Sequence, residues 1–439
     1  MLRPFSRLIP FLVLLKVAVS LPSPLIAQDA KAPIFVKAAH LIDGRGGAPM
    51  SPAMVRIEGG RVVAVAASLP VPPNARVIDL GTATLLPGLI DLHTHLTDRP
   101  DLHWEEVLVK STPAEAALWG ARNVRITLEA GFTTCREMGP TWPYTDVALR
   151  NAIDDGAVPG PRLMVSGAYV SSTGGAGDAH QFSTYVDVPT VRNLADGPDE
   201  VTKAVRTNFK NGADFIKILA TGAVLSKGIE PGAQQYSDEE IAAAVTEANR
   251  WGRQVAAHAH GTGGIKAAIR AGVRTIDHGT MLDDEAVELL KKATGRTYLV
   301  PTLLTSEHIQ NSTNTPESEK ERDRKIRESE IRSFRLALSA GIPIGLGTDA
   351  SVIPHGTNAG ELRIRVQLGQ TPMSAIVSAT RLNAEIMGWQ DRVGAIEVSR
   401  FADLIAVKGD PLRDITELER VGFVMKAGAV VKDELSIRR

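Results

Sequence analysis

Between residues 86 and 388 the chain alternates short apolar runs with stretches of helical periodicity, and this alternation limits the folds open to it. The apolar runs are residues 89–92, 133–136, 163–166, 215–219, 255–259, 275–278, 299–303 and 344–348. Ser237 followed by Glu240 forms a capping box, which predicts a helix that extends to Trp251. Eight strand–helix units predict an α/β fold, a parallel (β/α)8 TIM barrel over residues 86–395. A doubly wound parallel sheet is the competing architecture.

The segments on either side of these units contain short strands with alternating apolar residues. Residues 53–57 and 61–65 flank a Gly-Gly turn, and residues 402–407 and 422–432 repeat the pattern. Neither segment is long enough to bury a sheet by itself. We therefore expect residues 33–85 and 396–435 to form one small composite β-sandwich.

The N-terminal residues are typical of a secretory signal peptide. Two arginines precede an apolar stretch at residues 8–15, and small residues follow up to Ala27. Lys16 interrupts the apolar stretch, so it is too short for a membrane-spanning helix of about 20 residues. We expect residues 1–27 to be removed and the protein to be secreted or periplasmic. Cleavage after Ser20 and an uncleaved amphipathic N-terminus are the alternatives.

The amino-acid composition indicates which classes of binding partner the chain is suited to. With 49 Lys and Arg against 50 Asp and Glu, the net charge is −1, and aromatic residues make up 5%. This balance gives no electrostatic basis for binding nucleic acid or an anionic membrane. Cys135 is the only cysteine, so no intrachain disulfide can form, and its apolar neighbours predict a buried, inert thiol. We expect a small-molecule partner, no nucleic acid and no stable membrane span.

Polar residues that suit a metal ion end five of the apolar runs. They are His93, His95, Lys217, His258, His260, His278 and Asp349. Side chains two apart on a strand point to the same side, so His93 and His95 can direct two imidazoles at one ion. Each residue alone has a structural explanation, such as a satisfied core histidine or a helix-capping aspartate. Lysine, however, is almost never fully buried unless paired. Because the strand ends of a barrel meet at one face, the set predicts a metal site.

Several motifs resemble those of the amidohydrolase superfamily, and within it those of imidazolonepropionase-like enzymes and Xaa-Pro or Xaa-Arg dipeptidases. The resemblance covers residues 34–432. Its most specific motifs are Ala-Asp-Phe-Ile-Lys-Ile at residues 213–218, His-Ala-His-Gly at 258–261, Asp-His-Gly at 277–279 and Gly-Thr-Asp-Ala at 347–350.

The resemblance implies a site for two divalent metal ions, which we expect to be zinc. The ligands would be His93, His95 and Asp349 for one ion and His258 and His278 for the other. Lys217, carboxylated on its side-chain nitrogen, would bridge the two ions. Its chemistry agrees, because an amine buried among apolar side chains has a lowered pKa and stays nucleophilic. His260 would lie behind the ligands or contact substrate.

The resemblance also implies a mechanism. A hydroxide bridging the metals would attack the scissile carbonyl, and Asp349 would take its proton and pass it to the leaving amine. His180, Tyr236 and His355, on predicted loops, are further candidates for substrate contact. In the loop that carries His180 the family often shows Gly-Gly-His-Gly, whereas residues 174–177 read Gly-Gly-Ala-Gly.

We therefore expect an exported, binuclear metal-dependent amidohydrolase. The resemblance points to a dipeptide of Xaa-Pro or Xaa-Arg/Lys type or to an N-acyl amino acid. A cyclic amide, as in imidazolone hydrolysis, and a xenobiotic amide of ochratoxin or phenylurea type are alternatives, because this fold changes substrate by loop variation. A non-catalytic binding protein on a decayed barrel is the alternative from another class. Relatives often form symmetric assemblies, which makes a homo-oligomer an open expectation.

Overall fold

The helices and strands alternate through most of the chain. The computed structural model describes residues 32–99, 101–180, 182–183, 185 and 193–437, so the expected signal peptide at residues 1–27 lies outside the described residues. The strands are β1 (Ile34–Ala38), β2 (His40–Leu41), β3 (Ala53–Glu58), β4 (Arg61–Ala66), β5 (Arg76–Asp79), β6 (Thr84–Pro87), β7 (Leu89–Thr94), β8 (Phe132–Glu137), β9 (Arg162–Val165), β10 (Val170–Ser171), β11 (Asn193–Leu194), β12 (Ile216–Leu219), β13 (Val255–Ala259), β14 (Thr275–His278), β15 (Tyr298–Val300), β16 (Leu404–Val407), β17 (Phe423–Lys426) and β18 (Ala429–Asp433). The helices are α1 (Trp104–Lys110), α2 (Pro113–Glu129), α3 (Thr145–Asp154), α4 (Gly197–Lys210), α5 (Asp238–Arg250), α6 (Thr262–Ala271), α7 (Asp284–Lys292), α8 (Leu303–Asn311), α9 (Glu317–Ser339), α10 (Gly360–Gln367), α11 (Pro372–Val377) and α12 (Asn383–Met387).

Strands from the two ends of the described chain pair with each other. One sheet has the order β4-β3-β1-β5, and a second has the order β18-β17-β16-β6-β2. In the second sheet β16 runs antiparallel to β6, with Ile405 opposite Leu86. Val36 and Val55 of the first sheet and Phe423 of the second belong to one apolar core. The division into a composite sandwich (33–85 and 396–435) and a barrel (86–395) stays a prediction.

The strands between these sheets are parallel, as the alternating pattern predicts. They form a three-stranded sheet, β7-β8-β9, and a six-stranded sheet, β11-β10-β12-β13-β14-β15. The predicted runs at 255–259 and 275–278 coincide with β13 and β14. The backbone nitrogen of Asp214 donates to the oxygen of Val165 at 2.7 Å, which connects the two sheets.

The predicted eighth strand at residues 344–348 is wrong as a regular strand. The segment forms only an isolated bridge, between Ile344 and Leu299. Gly345 donates to the oxygen of Leu299 at 2.8 Å, and Leu92 donates to the oxygen of Leu346 at 3.0 Å, so the segment is bonded to β15 and to β7. Its glycines allow close packing, because a Cβ on Gly345 would lie 2.7 Å from the side chain of Ile386. Closure of eight strands into a barrel stays a prediction.

Helix α5 begins at the capping residue that the sequence predicts. At α5, the Ser237 hydroxyl accepts from the backbone of Glu240, and the Glu240 side chain accepts in return, which is the expected capping box. Buried side chains of α5 such as Ile241 share one core with β12 and β13. Cys135 is buried on β8, as expected. Among the residues that the structure describes, none of the helices is long and apolar enough to cross a membrane.

We predict that Gly88→Ala destabilises the protein, because Gly88 joins β6 to β7 where no side chain fits. A Cβ there would lie 2.1 Å from Oγ1 of Thr133 on the neighbouring strand. Overpacking of this kind lowers the free energy of unfolding by about 1–3 kcal/mol, which urea denaturation would measure. Gly47→Ala is the matched control, since a Cβ at Gly47 meets nothing within 4 Å. Adding Thr133→Ala should recover part of the loss; equal stability of the two alanine variants would contradict the prediction.

Candidate metal and active site

The ends of the central strands bring the predicted polar residues to one cavity of about 740 Å³. Among the residues that line it are His93, His95, Lys217, His258, His260, His278 and Asp349. Their side chains come from β7, β12, β13 and β14, from the residues that directly follow β7 and β13, and from the segment after residue 344. The structure therefore brings these residues together, and their roles as ligands stay predictions.

The first cluster consists of His93, His95 and Asp349. Their candidate ligand atoms all lie within 4.8 Å of one another. Nε2 of His93 is 3.4 Å and Nε2 of His95 is 3.1 Å from Oδ1 of Asp349. Nδ1 of His95 lies 2.7 Å from the backbone oxygen of Gly139, to which it can donate. That hydrogen bond leaves Nε2, the atom that faces Asp349, free to act as a ligand.

The charges of the first cluster are strongly coupled. Burial lowers the pKa of His93 to about 4, so this imidazole is neutral at pH 7. Burial would also lower the pKa of His95, but the hydrogen bond to Asp349 and its charge outweigh burial and raise it to about 9. Burial opposes ionisation of Asp349, yet the two histidines hold its pKa well below the usual range. Without a metal, the cluster therefore holds a carboxylate next to an imidazolium.

The second cluster consists of His258, His260 and His278, whose candidate ligand atoms also lie within 4.8 Å of one another. Burial lowers the pKa of all three imidazoles, that of His260 to about 4. All three are therefore neutral at pH 7, which is the form that binds metals. The sequence placed His260 behind the ligands or against substrate; the geometry makes it a third candidate ligand beside the predicted pair.

Two threonines and a backbone oxygen orient the second cluster. Nδ1 of His260 lies 2.7 Å from Oγ1 of Thr280, and Nδ1 of His278 lies 2.8 Å from Oγ1 of Thr302. Nε2 of His258 lies 3.2 Å from the oxygen of Gly222. Such contacts fix the tautomer and the ring orientation of metal-binding histidines. Neither threonine was identified from the sequence, where a threonine near a histidine carries no specific signal.

A buried ion network lies under the two clusters. Nζ of Lys217 is 3.2 Å from Oδ2 of Asp277, and Nη2 of Arg136 is 3.1 Å from Oδ1 of the same carboxylate. Burial lowers the pKa of Lys217, although the nearby carboxylates oppose the shift. Burial would raise the pKa of Asp277, but the two cations hold it well below its usual range. Sequence reasoning missed Asp277, whose one signal was its position next to His278.

Two site residues adopt a backbone conformation that side chains other than glycine rarely adopt. The φ angle is 69° at His278 and 58° at Asp349. Such a conformation costs about 1–3 kcal/mol per residue and persists only where the surroundings hold it. Here the backbone nitrogen of Asp349 donates to the oxygen of His93 at 2.8 Å. Strain at two candidate ligands is a further mark of a functional site.

Three of the four residues predicted to contact substrate, His180, Tyr236 and His355, are not among the described residues that line the cavity. The Tyr236 hydroxyl donates to the oxygen of Ala195 at 2.9 Å, and its ring belongs to the apolar core, so its contact with substrate stays a prediction. Nε2 of His180 lies 2.8 Å from the oxygen of Gly175 within its own loop. His355 is buried, which lowers its pKa to about 3.

The donor set of the two clusters fits divalent metal ions. It combines five imidazoles and one carboxylate, the groups that Zn²⁺ binds in proteins, and four of the imidazoles are neutral. Lys217 lines the same cavity as both clusters. These histidine clusters could therefore bind metal.

Comparison with known proteins agrees with this geometry. The model of the amidohydrolase family matches residues 84–431. Ochratoxinase of Aspergillus niger is 31% identical over 431 residues, which cover 93% of this chain and 88% of ochratoxinase. The crystal structure of a Xaa-Pro dipeptidase with bound methionine is similar with a TM-score of 0.83 and 34% identity, covering 91% of this chain and 99% of that chain. The crystal structure of a prolidase complexed with N-methylphosphonate-L-proline is similar with a TM-score of 0.84 and 30% identity, covering 92% of this chain and 100% of the prolidase chain. The chain therefore belongs to the amidohydrolase family and is a hydrolase that acts on amide bonds.

Proposed function

We propose that this amidohydrolase is a metal-dependent enzyme that cleaves the amide bond of a dipeptide or an N-acyl amino acid. One observation carries the proposal: two clusters of three candidate ligands and a buried lysine face the same cavity. A cavity of about 740 Å³ suits a small molecule. The relatives named as Xaa-Pro dipeptidase and prolidase favour a dipeptide ending in proline.

Two divalent ions, zinc in our proposal, would be held by the two clusters. The ligands would be His93, His95 and Asp349 for one ion and His258, His278 and His260 for the other. When bound, such ions lower the pKa of water towards 7 and polarise a carbonyl oxygen. Lys217 is suited to link the clusters, because burial lowers the pKa of its amine. A neutral amine adds to CO2 and loses one proton to water, which leaves a carbamate anion.

Asp349 is the residue in position to move the proton. Because His93 and His95 hold its pKa well below the usual range, it is ionised at neutral pH and can accept a proton from the attacking water. It can then deliver that proton to the leaving nitrogen, which departs as an amine. Its Oδ1 lies 3.4 Å from Nε2 of His93 and 3.1 Å from Nε2 of His95, so the carboxylate points towards the histidines.

Hydrolysis of a xenobiotic amide of ochratoxin type is the second candidate. Ochratoxinase of Aspergillus niger, at 31% identity over 93% of this chain, favours it. Both candidates release a free carboxylate and an amine or amino acid, so they need the same proton transfer by Asp349. They differ in the size and the polarity of the acyl group that the cavity must accept.

We also propose that the protein is exported and acts outside the cytoplasm. The basic and apolar pattern of residues 1–27 supports export. Mass spectrometry of the protein from the extracellular or periplasmic fraction would identify the mature N-terminus, expected after Ala27. A protein that retains Met1 in that fraction would contradict cleavage.

We predict that the zinc-loaded protein hydrolyses Ala-Pro or N-acetyl amino acids, and that Lys217→Ala loses both activity and bound zinc. Release of the amino acid can be followed by chromatography, and zinc by atomic absorption. Lys210→Ala, which removes an exposed lysine of α4, should keep both. Hydrolysis of ochratoxin alone would favour the second candidate. A wild-type protein that binds no zinc and cleaves none of these amides would refute the proposed function.

Asp349→Asn should lower kcat by about 10²–10⁴-fold, the usual contribution of a general acid–base group. Asparagine keeps the size of the side chain but cannot accept the proton. Asp101→Asn is the control, since Asp101 also lines the cavity but pairs with Arg99 at 2.7 Å. Steady-state kinetics at matched zinc content would measure both variants. Equal kcat values for the two would exclude Asp349 as the proton acceptor.

Binding of zinc to the first cluster at pH 7 should release about one proton from each protein molecule, because a bound ion displaces protons from its ligands. The pKa of His95 is about 9 without metal, so His95 carries that proton, whereas His93 with a pKa of about 4 carries none. The release should fall as the pH rises through 9. Calorimetric titration in CO2-free buffers of different ionisation enthalpy measures it. Proton release that does not change between pH 7 and 10 would contradict the assignment.

A further inference from the structure

A buried carboxylate joins the two segments that carry the first cluster. Asp91 on β7 is fully buried, and its Oδ1 accepts from the backbone nitrogen of His93 at 3.0 Å. Its Oδ2 accepts from the hydroxyl of Thr348 at 2.5 Å. The Asp91 carboxylate is therefore bonded to the backbone of one candidate ligand, His93, and to Thr348, the residue directly before another candidate ligand, Asp349.

Asn358 contributes the remaining bonds of this arrangement. Its Nδ2 donates to Oδ2 of Asp91 at 2.8 Å and lies 3.2 Å from Oγ1 of Thr348. The orientation of its amide is defined, because Oδ1 accepts from the backbone nitrogen of Gly356 at 3.0 Å, and a backbone N–H can only donate. Asn358 is fully buried and stands just before α10.

The hydrogen bonds of Asn358 contact the chain directly before Asp349, where the backbone is strained. Thr348 gives its single hydroxyl hydrogen to Asp91, so its oxygen is left to accept from Asn358. This closes a triangle of hydrogen bonds directly before Asp349, whose φ is 58°. On the other side, the backbone nitrogen of His95 donates to the oxygen of Ala350 at 2.6 Å. The backbone of Asp349 is therefore held from both sides.

We propose that Asn358 is a positioning residue for the cluster of His93, His95 and Asp349, acting through the side chains of Asp91 and Thr348. This inference rests on the proposed function, in which that cluster holds a metal ion. Loss of the Asn358 amide leaves Asp91 with one donor fewer at Oδ2 and leaves the Thr348 oxygen without its donor. The Thr348 hydroxyl and the backbone nitrogen of Asp349 remain bonded to β7, but the triangle of hydrogen bonds that fixes the geometry of the Thr348–Asp349 turn is broken.

The chain offers a matched control in a second buried asparagine that joins the same two segments. Nδ2 of Asn383 donates to the oxygens of Ile90 and Leu346, both at 2.8 Å, and its Oδ1 accepts from the nitrogen of Leu346 at 3.0 Å. Ile90 and Leu346 each lie three residues before a ligand, about 10 Å away along an extended chain. Asn383→Ala therefore removes a comparable link below the site.

The test compares Asn358→Ala with Asn383→Ala in the full chain loaded with zinc. Zinc release to a chromophoric chelator gives a rate, and thermal denaturation gives the overall stability. We expect Asn358→Ala to release zinc about 10–100-fold faster than wild type, the usual effect of removing a partner behind a metal ligand. Asn383→Ala should lower Tm but release zinc at the wild-type rate. Visible absorption of the cobalt-loaded proteins should change for Asn358→Ala alone.

Each outcome bears on a separate claim. Equal zinc release by the two alanine variants would overturn the positioning role and leave the proposed function standing. A wild-type protein that holds no zinc would refute the proposed function first. If Asn358→Ala does not fold, Thr348→Val replaces it, since valine keeps the shape of the side chain and removes the hydroxyl. Zinc release from Thr348→Val at the wild-type rate would likewise overturn the inference.

Discussion

The carboxylate of Asp277 is the interaction on which the centre of the molecule depends. It pairs with Arg136 on β8, which belongs to the three-stranded sheet, and with Lys217 on β12, which belongs to the six-stranded sheet. Arg136 also donates to the oxygen of Leu92 on β7 at 2.8 Å. One buried charge network thus ties four strands across two sheets. Because an unpaired buried charge is far more costly than a paired one, replacing a single member of this network should lower the free energy of unfolding.

This network also determines the chemistry available at the strand ends. Lys217 can lie in an almost fully buried position because Asp277 balances its charge, and burial then lowers its pKa. Three candidate ligands, His93, His95 and His278, lie at the ends of two of these strands, β7 and β14, where the regular backbone stops and the chain turns. The left-handed φ of His278 and of Asp349 marks these turns. The ion network of Asp277 and the left-handed backbone of His278 and Asp349 therefore occur in the same part of the structure.

The sequence predicted those parts of the fold and site that depend on local pattern. Strands β13 and β14 follow from runs of apolar residues, and their terminal histidines follow from position alone. The run at 344–348 failed as a strand because glycine packing and bonds to both neighbours replace regular pairing there. Asp277 and Tyr236 could not be assigned, because the partners that define them are distant in sequence. Periodicity shows which way a side chain points but not which group it meets.

The candidate metal ligands and the rest of the cavity wall come from different parts of the fold, so the sequence predicts the ligands more readily than the substrate. Most of the candidate ligands lie at the ends of buried strands, whereas much of the rest of the cavity wall comes from α1, α8 and α9. Two carboxylates on that wall, those of Glu105 and Asp323, already have partners within the protein. Lys227 contacts Glu105 at 2.6 Å, and the Ser306 hydroxyl lies 2.7 Å from Asp323. A polar group of a substrate that binds at these side chains must therefore form stronger hydrogen bonds than their partners within the protein do. Selectivity then depends on which of these internal pairs a substrate can separate.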